Sequence, residues 1–397
     1  LNKRTYTKWG RQNRIAGRKG ELRMNKILII VIDGCSSEYI SRETTPNIYR
    51  IAKQGFCKGV KAAIPSVTNV NHATILTGKF PSEHGVVGNY YYDRETGEQG
   101  FIESPDFIRS DTILNLMHQK GATTALLTVK GKVLEVFGKG VDFCISVQNP
   151  DDILVRCLDL PLPPPVGSLE ANGWILEACY RLLKKNNPDV VYCTTNDYMM
   201  HNYAPDTEEA IKQMQEIDAW IGEIYDLDHS REIYITADHG MSKKTHLVNL
   251  QAVMDRNGYE VVCHPPIKDR YIENHIYQEG GVLYLYFRND HDEKKEEILK
   301  FLGEAPYVEE ICSKEEAAKR YNLPEDNIGD YMVLAAKDCA FGEIEGEEMS
   351  TEKVRTHGSL YERAIPLVAV NASEAPEKYQ YSRDIVKILM DLMDAER

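Results

Sequence analysis

The sequence predicts an α/β fold with a mostly parallel central sheet flanked by helices. Strand-like apolar runs at 26–32, 123–129, 189–195, 231–236 and 364–370 alternate with helical patterns at 44–54, 69–79, 111–120, 170–186 and 207–225. Such alternation marks a layered α/β domain. Asp33, Lys130, Asp197 and Asp238 each come just after the end of one of these runs. In open sheets of this class ligands collect beyond the carboxyl ends of the strands, so one rule of the fold gathers all four.

The first run, Ile27 to Ile32, is apolar throughout and closes on Asp33-Gly34. After the run at 189–195 come Asp197 and His201, four residues apart; on one helical turn they project from the same face and can clamp a cation. The run at 231–236 gives way to Asp238-His239, and His357 stands just before the run at 364–370. Aspartate and histidine together suit zinc, and with no Cys pair at finger spacing a structural zinc site is not expected.

Between His239 and His357 the alternation breaks. Residues 250–345 are read as an inserted α+β cap, with a strand at 282–287 and a charged helix at 292–302, while 24–249 and 346–397 form the catalytic core. A last helix, 382–396, is expected to pack back on that core. Residues 1–23 carry eight Lys or Arg against one acid, Glu21, and no apolar period. They are read as a disordered leader or vector-derived segment ahead of a natural start at Met24.

Apolar content of 42% with 27% charged residues is that of a globular chain, and no apolar run reaches the ~18 residues that span a bilayer. A net charge of −14 argues against nucleic acid and anionic membrane surfaces as partners. Any anionic substrate must then be met by local positive charge, from metal ions and a few lysines. Nine cysteines without a CxxC pair are read as free thiols in a reducing cytoplasm.

The stretch from Ile64 to Gly78 places Thr68 where a helix N-cap is expected, with backbone N–H groups aimed at an incoming anion. Taken alone, Thr68 is better explained as only a cap. A cation on Asp33 and the Asp238-His239 pair would instead make its hydroxyl a nucleophile.

The ordered set Asp33, Thr68, Asp197, His201, Asp238, His239 and His357 resembles the two-zinc constellation of the alkaline phosphatase superfamily, in its phosphodiesterase and nucleotide pyrophosphatase branch. Within the branch the chain is most similar to the phosphonoacetate hydrolases. The stretches that carry this are Pro65 to Asn71, His84 to Asp93, and Thr194 to Tyr198 followed by His201 and Tyr203-Ala204-Pro205. The resemblance implies an alkaline phosphatase-like core, one Zn²⁺ on Asp197, His201 and His357, and a second on Asp33, Asp238, His239 and the Thr68 oxygen. It further implies that Lys130 and Lys132 hold a substrate carboxylate and that Asn89 donates to a phosphonate oxygen. The expected partners are a small anionic phosphonate and, in a homodimer, a second copy of the chain. His72 departs from the pattern: phosphonoacetate hydrolases tend to carry a second Asn there, nucleotide pyrophosphatases a His.

Two other functions fit the same residues: a phosphodiesterase or nucleotide pyrophosphatase using Thr68 on an ester, and a catalytically silent phosphonate-binding protein. Without the resemblance, Lys130 and Lys132 are equally well solvated loop charges. His84, His118, His229, His264, His275 and His291 are read as surface or satisfied core histidines, and His72 and His246 are left without a role.

Overall fold

The computed structural model describes residues 25–270, 275–288 and 294–395. The predicted leader lies outside them. A seven-stranded sheet runs in the order Phe56–Lys61, Ala364–Val370, Glu232–Thr236, Ile27–Val31, Val190–Thr194, Thr124–Thr128 and Phe143–Ser146. Its inner strands are apolar and wholly buried, as a sheet covered on both faces requires. The five predicted helices form at Pro46–Gln54, Thr68–Thr77, Ile113–Gln119, Glu170–Asn186 and Glu208–Leu227.

Register sets where the chemistry falls. Val31 pairs with Thr194 on one side and Thr236 on the other, and Thr194 pairs with Thr128. These four strands are parallel and end at one level. Lys130, Asp33 and Asp238 each lie two residues beyond that line and Asp197 three, so the sheet delivers all four to one edge. Ala364–Val370 runs antiparallel to Glu232–Thr236, with Leu367 opposite Thr236, so the residues preceding it, His357 among them, reach the same edge.

Three features differ from the sequence reading. Phe56–Lys61, an edge strand, is half exposed and interrupted by Lys58 and Gly59, which hides its period. Lys130 and Lys132 do not sit in a loop: a helix, Gly131–Phe137, starts at once after Lys130, and both lysines are buried. Thr68 is the first helical residue and not the cap, a place taken by Val67 in extended backbone. Val67 is apolar and fully buried, so its surroundings, not a capping side chain, set the helix start.

Within 250–345 an antiparallel sheet, in the order Val261–His264, Val282–Phe287, Tyr331–Ala335 and Val308–Ser313, builds an apolar cluster of its own around Leu285, Phe287, Ile298 and Val333. The charged helix is Lys295–Glu304. A three-stranded sheet of Cys339–Phe341, Ser242–Val248 and Glu348–Thr356 joins this part to the segment carrying His357. The final helix, Asp384–Ala395, lays its buried face on the main core. No helix among the described residues is long and apolar enough to cross a membrane.

Lys244 and Glu362 form a fully buried ion pair at 2.9 Å behind the His357 segment. Glu362 also accepts from the Ser359 N–H at 3.0 Å and the Ser359 hydroxyl at 2.6 Å. Removing one partner leaves an uncompensated buried charge, at a cost of about 3 to 5 kcal/mol. Lys244→Met should therefore lower the urea midpoint strongly, whereas replacing both partners by apolar residues should recover much of the loss; an unchanged midpoint for the single variant would refute the pair's role.

Candidate metal centre

The sheet edge places Asp33, Asp197 and Asp238 together, each at most 1% exposed. Gly34 makes the approach possible. Its φ of +72° suits glycine, a Cβ there would stand 3.1 Å from Asp197 Cβ, and its N–H donates to Asp238 Oδ1 at 3.1 Å. Burial, then the charges of Asp197 and Asp238, raise the Asp33 pKa well above the carboxylate range. Burial likewise pushes Asp238 up to about 6. Burial also works against the charge on Asp197, yet Lys130 and His201 hold that carboxyl well below its usual range.

Lys130 explains the difference. Its Nζ lies 2.6 Å from Asp197 Oδ1 and 3.0 Å from Asp33 Oδ2, with the side chain 2% exposed. Lys132 lies beside it, 2.6 Å from Asp269 on the segment after Val261–His264, and that pair is buried too. Both lysines reach the centre, and each faces a protein carboxylate there.

The imidazoles share one arrangement. Nδ1 of His239 lies 2.9 Å from the Gly240 carbonyl, that of His201 2.7 Å from Arg355 O, and that of His357 2.8 Å from Ser66 O. A carbonyl only accepts, so in each neutral ring Nδ1 carries the hydrogen and Nε2 keeps its lone pair. His239 Nε2 stands 3.2 Å from Asp238 Oδ2, 3.5 Å from Asp33 Oδ1 and 3.3 Å from the Thr68 hydroxyl. His201 Nε2 is 3.3 Å from Asp197 Oδ2.

These residues fit metal ions. Asp33 Oδ1, Asp238 Oδ2, His201 Nε2 and His357 Nε2 are buried without a hydrogen-bond partner among the described residues, a cost that bound cations would remove. The donors fall into three overlapping clusters, Asp33 with Asp238 and His239, Asp197 with His239 and His357, and His201 with His275 and His357, each with its atoms within 4.8 Å of one another. His275 was missed. Read from the sequence as a surface or satisfied core residue, it lies in the segment between Val261–His264 and Val282–Phe287, with no strand or helix period to mark it.

Asn89 meets the helix that starts at Thr68. Its Oδ1 accepts from the Asn69 N–H at 3.0 Å, which fixes the amide and leaves Nδ2 a buried donor without a partner among the described residues. His72 is packed beneath, with Nδ1 2.6 Å from the Tyr192 hydroxyl. His246 pairs with Glu348 at 2.8 Å, His84 with Thr74 at 3.0 Å and His118 with Asp142 at 3.1 Å. His264 stacks on Tyr90, and His291 lies outside the described residues.

If the clusters hold metal, Asp238→Ala should lower the zinc retained after dialysis by about one equivalent, because a carboxylate ligand is lost while the His201 side keeps its donors. Elemental analysis reads the result. Unchanged zinc would remove Asp238 from the ligand set.

Comparison with known proteins bears on the same residues. The model of the type I phosphodiesterase / nucleotide pyrophosphatase family matches residues 27–360, which include the whole candidate site. A pyrophosphatase/phosphodiesterase of Schizosaccharomyces pombe is 25% identical over 263 residues, covering 59% of this chain and 50% of that protein. The bis(5'-adenosyl)-triphosphatase enpp4 of Mus musculus is 25% identical over 273 residues, 65% of this chain and 57% of that protein. The chain thus spans about half the length of these curated relatives. Among solved structures, phosphonoacetate hydrolase from Sinorhizobium meliloti 1021, in complex with phosphonoacetate, superposes with a TM-score of 0.81 at 28% identity, covering 91% of this chain and 94% of that one. Murine ectonucleotide pyrophosphatase / phosphodiesterase 5 in complex with AMP shares the fold, with a TM-score of 0.68 at 17% identity over 94% and 95% of the two chains. With the family model spanning most of its length and every buried donor of the sheet edge, the chain belongs to the type I phosphodiesterase / nucleotide pyrophosphatase family.

Proposed function

We propose that the protein hydrolyses the carbon–phosphorus bond of phosphonoacetate to acetate and phosphate, with two zinc ions and Thr68 as nucleophile. One observation carries the reading: the Thr68 hydroxyl, at the first residue of a buried helix, lies 3.3 Å from His239 Nε2 among the Asp33 and Asp238 carboxylates. The likeness to phosphonoacetate hydrolase over 91% of the chain supports the substrate. Asp33, Asp238, His239 and Thr68 would hold one zinc, and Asp197, His201 and His357 the other. When bound, the ions neutralise the phosphonate oxygens and lower the pKa of the Thr68 hydroxyl.

The chain's own residues do the rest. Thr68 Oγ bonds to phosphorus as the carbon–phosphorus bond breaks, its proton passing to solvent. The electron pair leaves on carbon, spreads into the adjacent carboxylate as an enolate, and takes a proton from water. A second water then cleaves the phosphothreonine and returns a proton to Thr68. Asn89 Nδ2, fixed by the Asn69 N–H, donates to a phosphonate oxygen. Lys130 and Lys132 set positive charge where the substrate carboxylate enters. The nine unpaired thiols support a cytoplasmic location.

A second reading, ester cleavage by the same centre, is favoured by one specific feature. Lys132 already faces Asp269 and Lys130 already faces Asp33 and Asp197, so a substrate carboxylate must compete with those in the protein.

Thr68→Ala should lower phosphate release from phosphonoacetate by several powers of ten while zinc content holds; retention of more than about a tenth of the activity would sink the nucleophile. Lys132→Ala should reduce kcat/KM for phosphonoacetate about ten- to a hundredfold, the worth of a charge-assisted contact, and leave cleavage of a nitrophenyl phosphodiester almost unchanged. Equal losses on both would assign the lysine to the phosphoryl group or the fold. Brisk diester cleavage with no phosphonoacetate turnover would establish the phosphodiesterase.

A further inference from the structure

His275 carries chemistry that neither the family's ligand pattern nor the sequence reading gives it. It is 1% exposed, and its ring centroid lies 4.4 Å from that of His201 and 5.4 Å from that of His357. Its Nδ1 lies 3.0 Å from the Glu279 carbonyl. As in the three other rings of the centre, Nδ1 then carries the hydrogen and Nε2 keeps a lone pair. A histidine whose only role was to fill the core would not need to share that arrangement.

The position of His275 is fixed. The carbonyl that holds it also accepts from the Thr356 hydroxyl at 2.9 Å, one residue before His357, and Gly281 N–H donates to the His357 carbonyl at 2.8 Å. Close packing locks the contact, since a Cβ on Gly281 would stand 2.5 Å from Ser359 Cβ and one on Gly280 2.3 Å from Ile267 Cγ2. The inserted segment is thus docked on the His357 segment at Gly281, while Gly280 packs against Ile267 within the insert.

We propose that His275 is a metal ligand, so that the ion on the His201 side is held by the imidazoles of His201, His275 and His357 beside the Asp197 carboxylate. One ligating atom from each of the three histidines lies within 4.8 Å of the other two. With Asp197 these make four protein donors, so water or substrate would enter by expansion to a fifth ligand, which a catalytic zinc allows. The inserted segment is then part of the metal centre and not only its cover. This rests on the metal-centre reading, and its test uses no substrate.

Zinc-loaded protein is examined by extended X-ray absorption fine structure, and zinc affinity by competition with a chromogenic chelator, for the native chain, His275→Ala and His275→Gln. With His275 bound, four imidazoles are shared by two ions, giving about two per zinc in the native protein against about one and a half without it. Both variants should drop to the lower value and bind one of two equivalents at least tenfold more weakly, with the other equivalent unchanged. A native count of about one and a half, or variants whose two affinities and spectra match the native ones, would overturn the proposal. The native spectrum decides even if a variant misfolds. Failure to turn over phosphonoacetate would strike the proposed substrate alone, because these readings concern only zinc.

Discussion

Three buried carboxylates at one sheet edge are the constraint on which the rest of this structure depends. Asp33, Asp197 and Asp238 lie almost wholly out of water, where like charges at hydrogen-bonding range cannot all ionise unaided. The chain answers with one ammonium, Lys130, and imidazoles whose Nε2 atoms turn inward. That leaves an excess of negative charge and several acceptors without hydrogen. Divalent cations are the economical remedy, and the same excess makes the centre attract them through an acidic surface that would repel an anion.

The carboxylates meet because strands of equal reach end in register. Had Val31, Thr194 and Thr236 not paired, Asp33, Asp197 and Asp238 would lie at different heights and could not gather in one site. A one-residue slip would also turn each strand's side chains to the opposite face. The apolar runs that fill the core therefore set the geometry of the charged residues beyond them. Stability and site are coupled through register.

Legibility followed from this. The inner strands, buried on both faces, wrote themselves as unbroken apolar runs, and their ends pointed to Asp33, Lys130, Asp197 and Asp238. The edge strand Phe56–Lys61 did not show, because half of its residues face water and its composition is mixed. Lys130 and Lys132 were legible as residues of interest, but not as buried ones: their partners, Asp197 and Asp269, are 67 and 137 residues away. His275 was silent for the same reason. Nothing local distinguishes a histidine on an irregular segment from any other, and only the docking of Gly281 on the His357 segment brings it in.

That docking makes Thr68 and the buried donors of the His357 segment one mechanical unit. The Ser66 carbonyl accepts from His357 Nδ1 at 2.8 Å, the Ser66 hydroxyl donates to Ser359 O at 2.8 Å, and Gly358 N–H donates back to that hydroxyl at 3.1 Å. Ser66 is two residues from Thr68, so any movement of the His357 segment is felt at the Thr68 hydroxyl. From the other side the segment is braced by Glu362 and Lys244, and from above by Glu279 and Gly281. Catalysis by in-line attack demands that nucleophile and ions hold their spacing to a fraction of an ångström. Here the spacing of Thr68 and His357 is held by hydrogen bonds among segments far apart in sequence, those around Glu279 and Gly281 included.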